Sequence, residues 1–159
     1  MRRLNKIIIH HSGSNFGNAK TIENQRKKQG KKGVGYHFVI YNKYYTEEDL
    51  KNNYNDIHRR NLQQCLNIED IGDHTKGHNR NSIGVCLIHL DIEYPEVQLY
   101  VFRNLVASLC YDLGIDVSNV LGHYEIDSKE SSCPGLDMDK ERKFIKEKLN
   151  SLILEGEDN

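Results

Sequence analysis

The sequence predicts an α/β fold: a single domain with a central mixed β-sheet flanked by helices. Three observations predict it. Ile7-Ile8-Ile9 is a run of β-branched residues, and Ser82 to Leu90 is a second continuous apolar run; both suit strands covered on two faces. Glu96 to Leu113, and the segment after Asp137, repeat apolar residues at helical spacing instead. Strands alternating with helices over 159 residues, without repeats or a linker, make one domain large enough for its own core.

Taken in order, Lys6 to His10 is the first predicted strand, so His10 and His11 point to opposite sides and only one of them faces a given site. Thr21 to Gln29 is a short polar helix closed by Gly30. Val34 to Tyr41 alternates as a second strand, with Tyr36, Phe38 and Ile40 on one side and His37, Val39 and Tyr41 on the other. Asn42 to Asn55 has no apolar period and is expected as a long mobile loop or excursion, followed by a return strand over Ile57 to Gln63. The Gly- and His-rich loop Ile71 to Asn79 leads into the central strand Ser82 to Leu90. Pro95 opens the helix Glu96 to Leu113, in which Val97, Val101, Leu105 and Leu109 recur at helical spacing, and Gly114 closes it. Val117 to Leu121 is a short strand that delivers the chain to His123. Asp137 caps a last helix with Phe144, Ile145, Leu149 and Leu152 inward. The domain is expected to occupy residues 1–154, with 155–159 a frayed tail.

Composition excludes several function classes. A net charge of -1 gives no global field to draw nucleic acid or a membrane surface. The basic runs Arg26-Lys27-Lys28 and Lys31-Lys32 read as a solvated helix face. No apolar run approaches a bilayer span. The basic N-terminus is followed by only Ile7 to Ile9 before two histidines, too short for a signal-peptide core, so the protein is expected in the cytoplasm of the producing cell. Cys65, Cys86, Cys110 and Cys133 form no CxxC pair, and disulfides are not expected. Cys86 and Cys110 sit in apolar runs and read as small buried hydrophobes.

The chemistry concentrates between Gly122 and Gly135, where a histidine, a lysine and a cysteine share one loop closed by Pro-Gly. Imidazole and thiolate together suit zinc, and His10 at a strand end is the best third ligand. Taken singly, each has a bland reading as a surface or core residue, and no HExxH motif is present.

The whole constellation resembles the zinc N-acetylmuramoyl-L-alanine amidases, the group that includes phage T7-type lysozyme and the peptidoglycan recognition proteins. Ile7-Ile8-Ile9-His10-His11-Ser12-Gly13 is similar to the family's first strand, and Val34-Gly35-Tyr36-His37-Phe38-Val39-Ile40 to its Gly-Tyr-His-Phe strand. The stretch from Gly72 to Val85 is similar to its wall loop and central strand. Gly122-His123 with Cys133-Pro134-Gly135 resembles the remaining ligand segments.

The resemblance implies zinc held by His10, His123 and Cys133, with Tyr36 and Lys129 as catalytic helpers. The interval between His123 and Cys133 is two residues longer than the family's usual one. Counting from His123 gives Lys129 the catalytic place, and counting back from Cys133 gives Ser131. Lys129 is preferred because a cation stabilises an oxyanion better than a neutral hydroxyl. His74 in the wall loop is a candidate substrate contact, with a hydrogen-bonded structural histidine as an equal alternative. His11, His37, His58, His78 and His89 are expected to be structural or on the surface.

The implied reaction is hydrolysis of the amide joining the lactyl group of N-acetylmuramic acid to L-alanine. Zinc would bring the pKa of a water from about 15.7 towards roughly 7, Lys129 would help hold the oxyanion, and Tyr36 would orient the water or share that hydrogen bond. An endolysin or prophage role fits, with release to the cell wall through a separate lysis factor. Cytosolic recycling of muropeptides fits the same chemistry. The leading rival is a non-catalytic muropeptide-binding module, although such relatives typically lack the cysteine. A structural zinc site would need a fourth protein ligand, which His11 cannot supply from the opposite strand face. The expected partner is peptidoglycan or a muropeptide, with no nucleic acid and no membrane, and the chain is expected as a monomer.

Overall fold

The computed structural model describes residues 2–56, 58–127, 129 and 132–157. Its strands are β1 (Lys6–His11), β2 (Phe38–Ile40), β3 (Leu62–Gln64), β4 (Ser82–Leu87) and β5 (Val120–Gly122). Its helices are α1 (Ala19–Lys28), α2 (Glu47–Lys51), α3 (Glu96–Leu113), α4 (His123–Ile126) and α5 (Met138–Glu157). The strands form one sheet in the order β3-β2-β4-β1-β5, with β4 in the middle as its apolar run requires. β2–β4, β4–β1 and β1–β5 pair in parallel and β2–β3 antiparallel, so the sheet is mixed as expected.

Alternation along β1 divides the isoleucines between the two faces. Ile7 and Ile9 join Ile40, Ile83, Val85 and Leu87 beneath Phe102 and Val106 of α3 and Ile145 of α5. Each such fully buried side chain contributes about 1.5–3 kcal/mol of burial free energy. On the opposite face Ala19 and Ile22 of α1 pack with Val39, Tyr41, Cys86 and Ile88. His10 belongs to this second face and is buried there, while its neighbour His11 is partly exposed.

Several elements differ from expectation. The second strand is confined to Phe38–Ile40, because Gly35 has φ +84° and Tyr36 and His37 form a bend. Alternation therefore fails at Tyr36, which packs with Val39 and Tyr41 rather than with Phe38 and Ile40. Residues 42–55 are not a structureless loop, since α2 forms there with a Thr46–Asp49 capping box. A hydrogen bond from Arg59, 2.6 Å away, ties this excursion together and holds the Asp49 carboxyl down to about 2. The return strand is Leu62–Gln64; residue 57, the expected start, lies outside the described residues. β4 ends at Leu87, before the expected Leu90. Val117–Asn119 is a turn of 3-10 helix, so only Val120–Gly122 pairs as β5.

α3 has the expected bounds. Val97 is exposed, and Gln98, Leu99, Phe102, Val106 and Leu109 point inward. Asp137 accepts the Lys140 N–H at 3.1 Å and caps α5, which continues through Glu155 to Glu157 instead of fraying. Arg103 of α3 and Glu141 of α5 form a bidentate pair at 2.7 and 3.0 Å. No described helix is long and apolar enough to cross a membrane.

Candidate metal centre

Two of the expected ligands stand at element ends and the third in a turn. β1 delivers His10 opposite Cys86, its register partner on β4. β5 ends at Gly122, and His123 opens α4. Cys133 is buried in the following turn, where the Tyr124 N–H donates to the Cys133 carbonyl at 3.0 Å, so the long interval between them folds back on itself. The Cys133 thiol accepts the His11 N–H at 3.3 Å. No disulfide involves any of the four cysteines.

One ligand atom from each of His10, His123 and Cys133 lies within 4.8 Å of the other two. Donors in a tetrahedral zinc site stand roughly 3.3–3.7 Å apart, from bonds of about 2.0–2.3 Å, so small side-chain rotations close this set on one ion. Two imidazoles and a thiol are also the right chemistry. Among the described residues no fourth His, Cys, Asp or Glu joins the group. The donors fit a metal centre with a place left for water or substrate.

The surroundings of His10 fix its protonation and tautomer. Burial first, then His74, His123 and His11, holds its pKa well below the usual imidazole value, so the ring is neutral and able to bind a cation. Its Nε2 stands 3.1 Å from His74 Nδ1 and 3.2 Å from Thr75 Oγ1. His74 Nε2 is 3.4 Å from Ser82 Oγ, whose hydroxyl donates to the His78 carbonyl at 2.7 Å. One direction satisfies the whole chain: His10 Nε2–H donates to His74, His74 Nε2–H to Ser82, and Ser82 to the carbonyl. That assignment leaves the lone pair on His10 Nδ1 for an ion. Burial, followed by His37 and Arg2, lowers the His74 pKa to about 3, so this ring is neutral too. It lies directly on the sheet, since a Cβ at Gly84 would come within 2.5 Å of it.

Tyr36 reaches the same place through its bend, with its ring centroid 5.2 Å from that of His10. Burial, with Cys86 and Cys133 nearby, pushes its hydroxyl pKa well up, so it remains a hydrogen-bond donor. Tyr36, His74 and Thr75 border a polar cleft of about 270 Å³ that continues along Gln25, Arg26 and Lys31. Arg26 closes the cleft's far side, donating to the Gly33 carbonyl at 3.0 Å and to Asp73 Oδ2 at 2.6 Å.

Lys129 is exposed, and its backbone N–H donates to Asp127 Oδ1 at 3.0 Å. Among the described residues its ammonium makes no hydrogen bond or ion pair. Ser131 lies outside the described residues. The other histidines differ in burial. His37 is buried between Arg2, at 2.8 Å, and the Gly84 N–H, at 3.0 Å; His89 is buried, and His58 is exposed.

Sequence reasoning missed Arg26 as a cleft residue and the His74–Ser82 chain. A signal existed for Arg26, because it falls on the same helical stripe as Ala19 and Ile22. Arg2, which also bonds the Ile68 and Asn79 carbonyls, gave no signal because its partners lie far along the chain.

A family model described as N-acetylmuramoyl-L-alanine amidase matches residues 1–136. The endolysin of Enterobacteria phage T3 is 29% identical over 143 residues, which cover 83% of this chain and 81% of that protein. The amidase LysC from Clostridium intestinale superposes with a TM-score of 0.69 at 24% identity, over 94% of this chain and 87% of the other. AmpDH3 from Pseudomonas aeruginosa, solved with an anhydromuramic pentapeptide, gives 0.67 at 15% identity over 90% of this chain and 60% of the other. The matched span contains His10, Tyr36, His74, His123 and Cys133, and the chain belongs to the N-acetylmuramoyl-L-alanine amidase family.

Proposed function

We propose that the protein is a zinc-dependent endolysin that hydrolyses the amide between the lactyl group of N-acetylmuramic acid and L-alanine in peptidoglycan. The observation that carries this reading is the convergence of His10, His123 and Cys133 to within 4.8 Å in a chain of the amidase family. The phage T3 relative is itself an endolysin, which supports a wall-lytic role after release from the producing cell. AmpDH3 with its anhydromuramic pentapeptide supports a muropeptide as the ligand class.

When bound by these three residues, zinc supplies Lewis acidity, bringing a water's pKa towards roughly 7 and polarising the scissile carbonyl. The remaining work belongs to the chain. His74 and Ser82 keep the His10 proton on Nε2, so that Nδ1 is the atom that would hold the ion. The protonated Tyr36 hydroxyl donates to the water or to the developing oxyanion. Lys129, exposed between His123 and Cys133 in sequence, is assigned the positive charge that meets that oxyanion. His74 lines the cleft where the stem peptide lies, but its hydrogen bond to His10 makes positioning its main role.

The deciding experiment is digestion of purified peptidoglycan by the zinc-loaded protein, with new L-alanine amino termini scored against new reducing sugar ends. Amino termini that vanish with chelator and return with zinc are expected. Reducing ends alone would make the protein a glycosidase. Zinc binding without either product would make it a binding module, and each outcome overturns the proposal.

A further inference from the structure

We propose that Tyr94, outside the ligand set, is a positioning residue that sets the approach of the Cys133 sulfur to the metal. The inference rests on the metal-centre reading above. The Tyr94 hydroxyl donates to the carbonyl of Pro134, the residue after Cys133, at 2.6 Å. Its ring is stacked on His89 with centroids 3.6 Å apart and planes inclined by 8°. His89 is itself fixed, because its Nε2–H donates to the Ile92 carbonyl at 2.6 Å and its backbone N–H donates to Ser12 Oγ at 3.2 Å. Ser12 follows His11 at the end of β1, so the stack connects the strand bearing His10 to the turn bearing Cys133.

The tail of the stack is equally constrained. With the proton on Nε2, His89 Nδ1 is a buried acceptor without a hydrogen-bond partner among the described residues. Gly135 lies close against it: a Cβ there would stand 3.7 Å from the ring. The φ of +76° at Gly135, rather than any lack of room beside the ring, is what calls for glycine in this turn.

Cys133 needs such an anchor because the chain alone does not aim it. Nine residues separate it from His123, too many for local geometry to dictate where the sulfur points. Its turn is held at the thiol by the His11 N–H, at its carbonyl by the Tyr124 N–H, and at the next carbonyl by the Tyr94 hydroxyl. The first two donors are backbone amides; Tyr94 is the anchor that a substitution can remove. Thiolate is also the only anionic donor of the three, so its distance weighs most on affinity.

The test is Tyr94→Phe, which keeps the stacked ring and deletes the hydroxyl. Zinc affinity is measured by chelator competition, and the sulfur–metal bond is followed in the cobalt-loaded protein by its thiolate-to-metal charge-transfer band. We expect zinc binding about 10-fold weaker or more, a weakened or shifted charge-transfer band, and near wild-type melting of the metal-free protein. Unchanged affinity with an unchanged cobalt spectrum overturns the proposal. So does an affinity loss with an unchanged spectrum and a lower metal-free melting temperature, because that is a merely structural effect. A wild-type protein that binds neither zinc nor cobalt would instead refute the metal centre itself.

Discussion

His10 and Tyr36 meet at the candidate site by different routes, and their positions were legible in the sequence to different degrees, while Lys129 stands exposed in the turn after α4. His10 was legible because strand alternation and an apolar run fix its face. Tyr36 was legible only through the family's motif, since simple alternation assigns it to the wrong face and the positive φ of Gly35 corrects it. The His74–Ser82 chain was not legible, because its sense depends on which ring nitrogens carry protons in the folded state. Lys129 is the residue whose role most needs a direct measurement. Lys129→Ala is expected to bind zinc with wild-type stoichiometry while losing about 10²–10³-fold in turnover, the usual loss on removing one oxyanion donor. Zinc content and single-turnover hydrolysis of a muropeptide check it, and undiminished turnover would move the role to another residue.

At the level of elements, the long periodic segments were read well and the short ones poorly. α3 was bounded correctly from Pro95 and Gly114, yet helical spacing alone did not give its inward face, because its first turn is pinned by a polar residue. Gln98 donates to the carbonyls of both Ile40 and Ile88, so it points inward and leaves Val97 exposed. α2 was invisible to apolar periodicity because capping and the Arg59 pair hold it rather than a hydrophobic stripe. The packing of α3 on α5 carries its own prediction. Glu141 is buried against Arg103, so Glu141→Leu strands a guanidinium in the interface and should cost about 3–5 kcal/mol. Replacing both, with Arg103→Met and Glu141→Leu, should cost far less. Urea denaturation of the two variants decides it, and equal losses would mean that the pair itself, not the unpaired charge, sets the penalty.

For the molecule as a whole, the buried imidazoles make stability depend on acidity. His10 and His74 have folded-state pKa values below the ordinary 6.5, and His37 and His89 are lowered in the same direction, each chiefly by burial. The unfolded chain therefore takes up these protons first as pH falls. Their contribution is complete above about pH 6.5 and declines as pH falls below it, towards a folded value of about 3 for His74. Each proton taken up only by the unfolded chain tilts the balance by about 1.4 kcal/mol per pH unit. The melting temperature of the chelated protein should fall between about pH 7 and about pH 5; a flat profile would mean that these rings are not buried neutral.

The placement of β1 between β4 and β5 has a temporal consequence. Synthesis makes the first strand early, but both of its neighbours come much later, and two of the three donors later still. A nascent chain still short of β5 has one histidine on an open strand edge and nothing to complete its coordination. A truncated product that stops before Cys133 therefore lacks the complete donor set. Only a ribosome that has passed Cys133 has made all three donors.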